Sequence, residues 1–378
     1  MKVPMLDLVR QYQAMHEEID TAIHEVLRSG RFILGSLVEE FEKRAAEYCG
    51  VGHAIGVASG TDALLLSLRA LGVGPGDRVI VPSFSFFATA GVVHNVGATP
   101  VFCDIDPKTF NIDPESVREL LHDRRTASST RAIIPVHLYG QIANMDAIRE
   151  IAQDYRLAIV EDAAQAIGAV YRGEKAGAIG NTGCFSFYPT KNLGAYGDGG
   201  LVTTNDGDLA GRVRLLRVHG AKPKYFHRLV GVNSRLDAIQ AAVLSVKLRY
   251  LDRWTGLRVQ VADEYDSLLR DLEGIVIPQR KPDRSHIFHQ YTVRLLNGRR
   301  DELQRYLSEN GVGSMIYYPM PLHLQECFAG LGYVEGDLPA SELAAREVLS
   351  LPIYPELTSR EIEFVAGLIE AYLQRDWD

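Results

Sequence analysis

Cysteine is scarce in this chain. Cys49, Cys103, Cys184 and Cys327 are the four among 378 residues, they lie far apart, and no two form a C-x-x-C pair. Neither a zinc knuckle nor a disulfide framework is built that way. Buried free thiols in a reducing cytoplasm are expected instead. A basic block is also missing. The net charge is −8 at pH 7, with acidic residues spread along the chain. That argues against nucleic acid and against an anionic membrane surface as partners. The opening residues, MKVPMLDLVRQYQ, lack the apolar region of a signal peptide. Val79 to Cys103 carries no Asp, Glu, Lys or Arg, but Pro82, Ser83, Ser85, His94, Asn95 and Pro100 interrupt it. It reads as strand, turn, helix, strand rather than a membrane span.

What remains is ordinary for a soluble globular protein: 46% hydrophobic and 23% charged residues, with length enough for two domains. In the first half, short β-branched runs alternate with helical stretches. The runs are RVIVP (Arg78–Pro82), TPVFCDI (Thr99–Ile105), RAIIPV (Arg131–Val136) and LAIVED (Leu157–Asp162), and Asp146–Tyr155 is one of the helices between them. Such alternation predicts an α/β fold with a mainly parallel sheet covered on both faces. Ligands bind such sheets at the carboxyl ends of the strands. From Ser234 the pattern changes to a long helical stretch, SRLDAIQAAVLSVKLRYLDRW, with Ser234 and Asp237 in capping-box spacing. It leads into a smaller C-terminal α+β domain, giving expected domains of 1–250 and 251–378. There His289–Leu296 reads as a strand, and Thr358–Leu373 as an amphipathic helix capped by Thr358 and Glu361.

Four stretches could carry chemistry. In VASGTDALLLSL (Val57–Leu68) a strand ends at Ser59, and Gly60 and Thr61 open an apolar helix. Free N–H groups at a helix N-terminus, a hydroxyl and a glycine make an anion site, although a plain helix cap looks the same. It is not a Walker loop, and no G-x-G-x-x-G stands near the N-terminus. In AIVEDAAQAIGA, Asp162 ends an apolar strand and needs a cationic or hydrogen-bonding partner, with Gln165 three residues on. In VPSFSFFATA, Phe84, Phe86 and Phe87 follow a strand end and could stack on a flat ring or pack in the core. In GCFSFYPTKNLGAYGDGG, Ser186 sits in an aromatic strand and Lys191 precedes a glycine-rich loop. A lysine in apolar surroundings has a lowered pKa and can act as a Schiff-base nucleophile. Together these supply what pyridoxal phosphate requires: an anion cradle, a carboxylate for the pyridine nitrogen, a ring platform and an amine for the aldehyde.

The set resembles the DegT/DnrJ/EryC1/StrS sugar aminotransferases, of fold-type I (aspartate aminotransferase-like), over nearly the whole chain. SGTDAL, PSFSFFAT, EDAAQAIGA, SFYPTKNLGAYGDGG, GVNSRLDAIQAA, YYPMPLHLQ and LSLPIYPEL carry the resemblance in family order. It implies pyridoxal 5'-phosphate, passing through pyridoxamine 5'-phosphate, with Lys191 as the Schiff-base lysine and Asp162 as partner of the pyridine nitrogen. Gln165 matches the residue at the ring hydroxyl, Phe86 the stacking aromatic, and Gly60, Thr61 and Ser186 the phosphate binders. Asn233 matches an asparagine that reaches the phosphate from a neighbouring subunit, which implies a homodimer with shared sites. Tyr188, Arg235, Tyr317, Tyr318 and His323 match positions near the sugar nucleotide or amino donor, and Ser29–Gly35 resembles a loop bordering the site. No metal is implied. The expected reaction moves an amino group from L-glutamate to a nucleotide-linked keto-sugar, at C-3 of a dTDP-3-keto-6-deoxyhexose. UDP-linked 3-keto N-acetyl sugars, C-4 keto-sugars and a non-catalytic regulator on the same fold stand as alternatives. The basic cluster His219–Arg228 reads as a loop near the nucleotide or as a solvated surface loop.

Overall fold

The β-branched runs form strands because their side chains suit a pleated, buried surface. In the computed structural model, which describes residues 1–296 and 298–374, nine strands precede the C-terminal part. They are β1 His53–Val57, β2 Arg78–Pro82, β3 Thr99–Cys103, β4 Thr130–Ile133, β5 Ala158–Asp162, β6 Val170–Tyr171, β7 Glu174–Lys175, β8 Thr182–Ser186 and β9 Gly200–Thr204. Seven make one sheet in the order β1-β9-β8-β5-β4-β2-β3, and β6 pairs with β7 in a separate ribbon. β3, β2, β4, β5 and β8 pair in parallel, while β9 runs antiparallel to both of its neighbours. The mainly parallel α/β sheet is as the sequence predicts.

Both faces of this sheet are buried, and successive residues split between them. Ile80, Ile133, Ile159, Phe185 and Leu201 face one core, with Phe41 from the helix Ser36–Cys49. Val79, Val81, Ala132, Val160, Cys184 and Val202 face the other, with Leu64 and Leu68 from the helix Gly60–Ala70. That two-residue alternation is the period of an extended chain, and it explains why the runs are apolar without a polar face. Because β5 and β8 are parallel, Asp162 and Ser186 end at the same edge of the sheet.

A third core surrounds a smaller antiparallel sheet of β10 Ile275–Val276, β11 Tyr291–Leu295 and β12 Val348–Leu351. Tyr265, Tyr291, Val293, Leu351 and Ile362 fill it, and Val3 from the other end of the chain joins them. The capping box at Thr358 is present, and the helix runs Ser359–Leu373.

The expected long helix from Ser234 is different. Ser234 caps nothing: it is buried, and its Oγ accepts the Ala58 N–H at 3.2 Å. The helix starts at Ala238, ends at Leu248, and a second one runs Leu251–Leu269. A long-range demand for a hydroxyl beside β1 outweighed the local capping pattern. Cys327 is likewise exposed, against the expectation of four buried thiols; Cys49, Cys103 and Cys184 are buried. Burial pushes the Cys49 thiol up to about 12, so it stays an unreactive thiol. No helix among the described residues is long and apolar enough to cross a membrane.

Candidate active site

A cavity of about 490 Å³ opens at the carboxyl edge of the large sheet and takes in residues from the C-terminal part as well. Gly60, Thr61, Phe86, Asp162, Gln165, Ser186, Tyr188, Lys191, Tyr317 and Tyr318, all expected from the sequence, line it.

Each wall has a local cause. The helix Gly60–Ala70 begins where β1 ends, and Ser59 Oγ accepts the Asp62 N–H at 3.1 Å while Ala63 N–H bonds to Ser59 O at 3.0 Å. The first N–H groups of a helix lie outside its own ladder, so those of Gly60 and Thr61 are left for a ligand, at the positive end of the helix dipole. Glycine is required at two points of this cradle. A Cβ on Gly60 would stand 2.7 Å from Ser186 Cβ, and one on Gly200 would stand 2.3 Å from Ser59 O. Ser186 packs against Gly60, and Gly200 against the Ser59–Gly60 backbone, too closely for a side chain at either glycine.

Asp162 leaves β5 into the cavity floor. Thr89 Oγ1 donates to its Oδ2 at 2.7 Å, and Ala164 N–H donates to Oδ1 at 3.3 Å. Burial pushes the carboxyl above its usual range, while Thr89 and the charge of Lys191 oppose that push. Thr89 in turn stands 2.9 Å from Ser85 Oγ. We expect Thr89→Val to weaken binding of the cofactor that the sequence resemblance implies about 10-fold or more, since one hydrogen bond to a charged group is worth roughly 1.5–3 kcal/mol. Titrating cofactor-free wild type and variant with the cofactor checks this, and equal dissociation constants would show Thr89 to be idle.

Behind Asp162, the Glu161 carboxylate is fully buried. It accepts from Gly177, Ile179 and Gly180 N–H at 2.9, 2.8 and 2.6 Å, and His137 Nε2 lies 2.9 Å away. His137 N–H also donates to Asp162 O at 3.0 Å, so the end of β5 is fixed from both sides. Gln165 is fixed as well: its Oε1 accepts Tyr139 N–H at 2.7 Å and its Nε2 donates to Tyr318 Oη at 3.2 Å. Phe86 is 56% exposed and its ring lies 6.1 Å from that of Tyr318. Phe84 is buried in the core, and Phe87 stacks on Phe328. Of the three aromatics, only Phe86 offers its ring to the cavity.

Lys191 sits on a turn after β8, with its N–H donating to Tyr188 O at 2.8 Å. The loop that follows is held by the helix Ala238–Leu248. Gln240 accepts from Tyr196 N–H and donates to Tyr196 O at 2.8 and 3.0 Å, and the buried Lys247 donates to Gly194 O at 2.8 Å. Burial lowers Lys191 to about 8, with Asp162 pulling the other way. In cofactor-free protein the folded state holds Lys191 with a lower proton affinity than the unfolded chain does. Its burial therefore costs stability fully below about pH 8, and that cost is relieved between about 8 and 10.5. Cofactor-free Lys191→Met is expected to melt above wild type at neutral pH, with the gap closing as pH rises through that window. A gap independent of pH would remove the titration argument.

Three expected residues do not reach the cavity. His323 is buried, with Nδ1 2.6 Å from Ser83 Oγ and Nε2 3.2 Å from Glu342 Oε1. Its imidazole links the segment after Tyr318 to the end of β2. Asn233 is exposed and Arg235 half-buried, and both lie away from their own chain's cavity. The cluster His219–Arg228 also lies outside it, with Tyr225 and Phe226 exposed to solvent. Conversely, Ser85, Thr190, Asp198, His289 and Gln290 line the cavity without having been singled out. Thr89, just behind it, was missed too; a polar residue opening an apolar helix was the signal for it. Nothing in the strand HQYTVRLL marks His289.

A buried lysine, a buried carboxylate partnered by a hydroxyl and a helix N-terminus meet at one edge of a mainly parallel sheet, the arrangement of the fold-type I class. The model of the DegT/DnrJ/EryC1/StrS aminotransferase family matches residues 13–370, and the chain belongs to that family. It is 52% identical over 374 residues to a pleiotropic regulatory protein of Geobacillus stearothermophilus, covering 98% of this chain and 99% of that one. It is 48% identical over 374 residues to the dTDP-3-amino-3,4,6-trideoxy-alpha-D-glucose transaminase of Streptomyces venezuelae, covering 99% and 97%. Its structure is similar to S. venezuelae DesV in complex with a ketimine intermediate, with a TM-score of 0.95, 47% identity and 99% of each chain covered.

Proposed function

We propose that this aminotransferase moves the amino group of L-glutamate to C-3 of a dTDP-linked 3-keto-6-deoxyhexose. The observation that carries the reading is Lys191: an amine kept at about 8 inside a cavity that also holds Asp162 and the helix N-terminus. The similarity to a dTDP-sugar transaminase supports the acceptor.

The residues present fit pyridoxal phosphate. The N–H groups of Gly60 and Thr61, with the Ser186 hydroxyl, would hold its phosphate. Asp162 would pair with its ring nitrogen, Gln165 with its ring hydroxyl, and Phe86 would cover its face. When bound, the cofactor supplies an electron sink for the charge left at the amino-bearing carbon. Asp162, anchored by Thr89, would hold a proton on the ring nitrogen and so keep that sink open. Lys191 Nζ, as a neutral amine, takes the proton from Cα of the amino donor and gives it back on the other side of the transfer. Tyr188, Tyr317 and Tyr318 form the wall against which the sugar nucleotide lies.

The reading includes two units, 1–250 and 251–378, meeting at the cavity, and a cytoplasmic homodimer. Asn233, exposed and away from its own cavity, is free to reach a neighbour's phosphate site. The test is spectroscopic. The purified protein should show a visible absorption band that disappears with glutamate and returns with a dTDP- or UDP-linked 3-keto sugar. A protein that stays colourless with added pyridoxal phosphate would sink the proposal and favour a regulator on this fold.

A further inference from the structure

The hydrogen bonds along one wall of the cavity run in a fixed direction. Tyr139 N–H, which can only donate, bonds to Gln165 Oε1 at 2.7 Å. That contact marks the oxygen end of the amide, so the nitrogen end faces Tyr318 Oη, 3.2 Å away. An amide –NH₂ donates and does not accept, so the Tyr318 oxygen is the acceptor. Its own hydrogen is left over, and no acceptor among the described residues takes it. The oxygens of Asp162 bond to Thr89 and Ala164 instead. Tyr139 is buried, and its hydroxyl donates to Tyr317 O, so the chain of donors is anchored at the neighbouring wall residue too.

Two hydrogens are thus uncommitted: the second N–H of Gln165 and the O–H of Tyr318. They sit on atoms 3.2 Å apart, and both residues line the cavity. Donors that close together reach a single ligand oxygen. The Tyr318 ring lies 6.1 Å from that of Phe86 and 6.2 Å from that of Phe84. Burial, with the charge of Asp162, pushes the Tyr318 hydroxyl above the usual tyrosine range, so it keeps its hydrogen. The other titratable groups lining the cavity are Lys191, Asp198, His289, Tyr188 and Tyr317.

We propose that Tyr318 is a second donor to the ring oxygen of the cofactor: its O–H and the free N–H of Gln165 close on that one oxygen and hold it as an anion. The inference rests on the reading above, which places Gln165 at the ring hydroxyl. No bond is made or broken, and both hydrogens stay on Tyr318 and Gln165. The charge of the ring oxygen is spread over two donors, so the nitrogen that joins Lys191 to the cofactor holds its proton less firmly.

The test reads the cofactor's colour rather than turnover. Wild type and Tyr318→Phe are loaded with pyridoxal phosphate, and the visible band is titrated against pH. Phenylalanine keeps the ring against Phe84 and Phe86 and removes only the hydroxyl. The midpoint should rise by about one pH unit in the variant. If the phenylalanine variant does not fold, Tyr318→Leu carries the same test. A midpoint unchanged in a folded variant overturns the proposal, even where turnover falls, because the hydroxyl then serves the sugar or the amino donor. A wild type that takes up no colour overturns the cofactor reading and this inference with it. A coloured wild type with an unmoved midpoint in the variant removes this inference alone.

Discussion

Lys191→Ala is expected to lose turnover to below about 10⁻⁴ of wild type, the upper end of what one positioned acid–base group supplies. The loss has two sources. On the proposed mechanism, alanine cannot bond to the cofactor aldehyde, and it removes the amine that would carry the proton. At a pKa of about 8, roughly a quarter of the amine is neutral at pH 7.5; an exposed lysine near 10.5 would offer about one in a thousand. Burial thus keeps a larger share of this amine neutral near pH 7.5 than an exposed lysine would. Pyridoxal phosphate should still bind, because the cradle at Gly60, Thr61 and Ser186 is untouched. Borohydride reduction followed by mass spectrometry separates the two effects. Wild type should retain the cofactor covalently on Lys191, and the variant should not. A variant with full activity would remove Lys191 from the mechanism.

Asp162→Asn should cost about 10²–10³-fold in kcat, the range seen when one preorganised electrostatic partner is removed. Asparagine keeps the size of the side chain, and Thr89 Oγ1 can still donate to its oxygen, while the 3.3 Å hydrogen bond from Ala164 N–H is lost. What disappears is the negative charge that we propose for the ring nitrogen. Burial alone would favour a neutral Asp162, and the Thr89 hydroxyl and Lys191 act against that. The charged carboxylate is therefore held at a cost to folding, and cofactor-free Asp162→Asn should melt at or above the wild-type temperature. A variant that keeps its fold and its stability while losing rate places the defect in chemistry. Near-normal kcat would show that the ring nitrogen does not depend on this carboxylate.

Much of the fold was legible. The run Arg78–Pro82 is β2 to the residue, and the run ending at Asp162 is β5 with its first residue trimmed, because β-branched apolar residues bounded by turn formers have few other uses. Thr358 and Glu361 cap their helix as written, since a capping box is a contact between residues three apart. The reactive groups were legible for a similar reason. A carboxylate at the end of an apolar strand and a lysine before a glycine-rich loop are unusual locally, and both reach the cavity.

Other assignments depended on residues far away in the chain. Ser234 looks like a helix cap, but β1 takes it, 176 positions upstream. His323 looks like a substrate ligand, but Ser83, 240 positions away, and Glu342 hold it in the interior. Phe84, Phe86 and Phe87 are equivalent as a string, and only packing turns Phe86 to the cavity. Thr89 finds its hydrogen-bond partner in Asp162, 73 residues on, and His289 in Asn192, 97 residues back. The sequence by itself determined the strands, the caps and the kinds of chemistry available, because those rest on backbone preference and side-chain type within a few residues. The tertiary structure alone decided which polar groups meet, because a buried donor or acceptor must find a partner wherever the packed chain brings one.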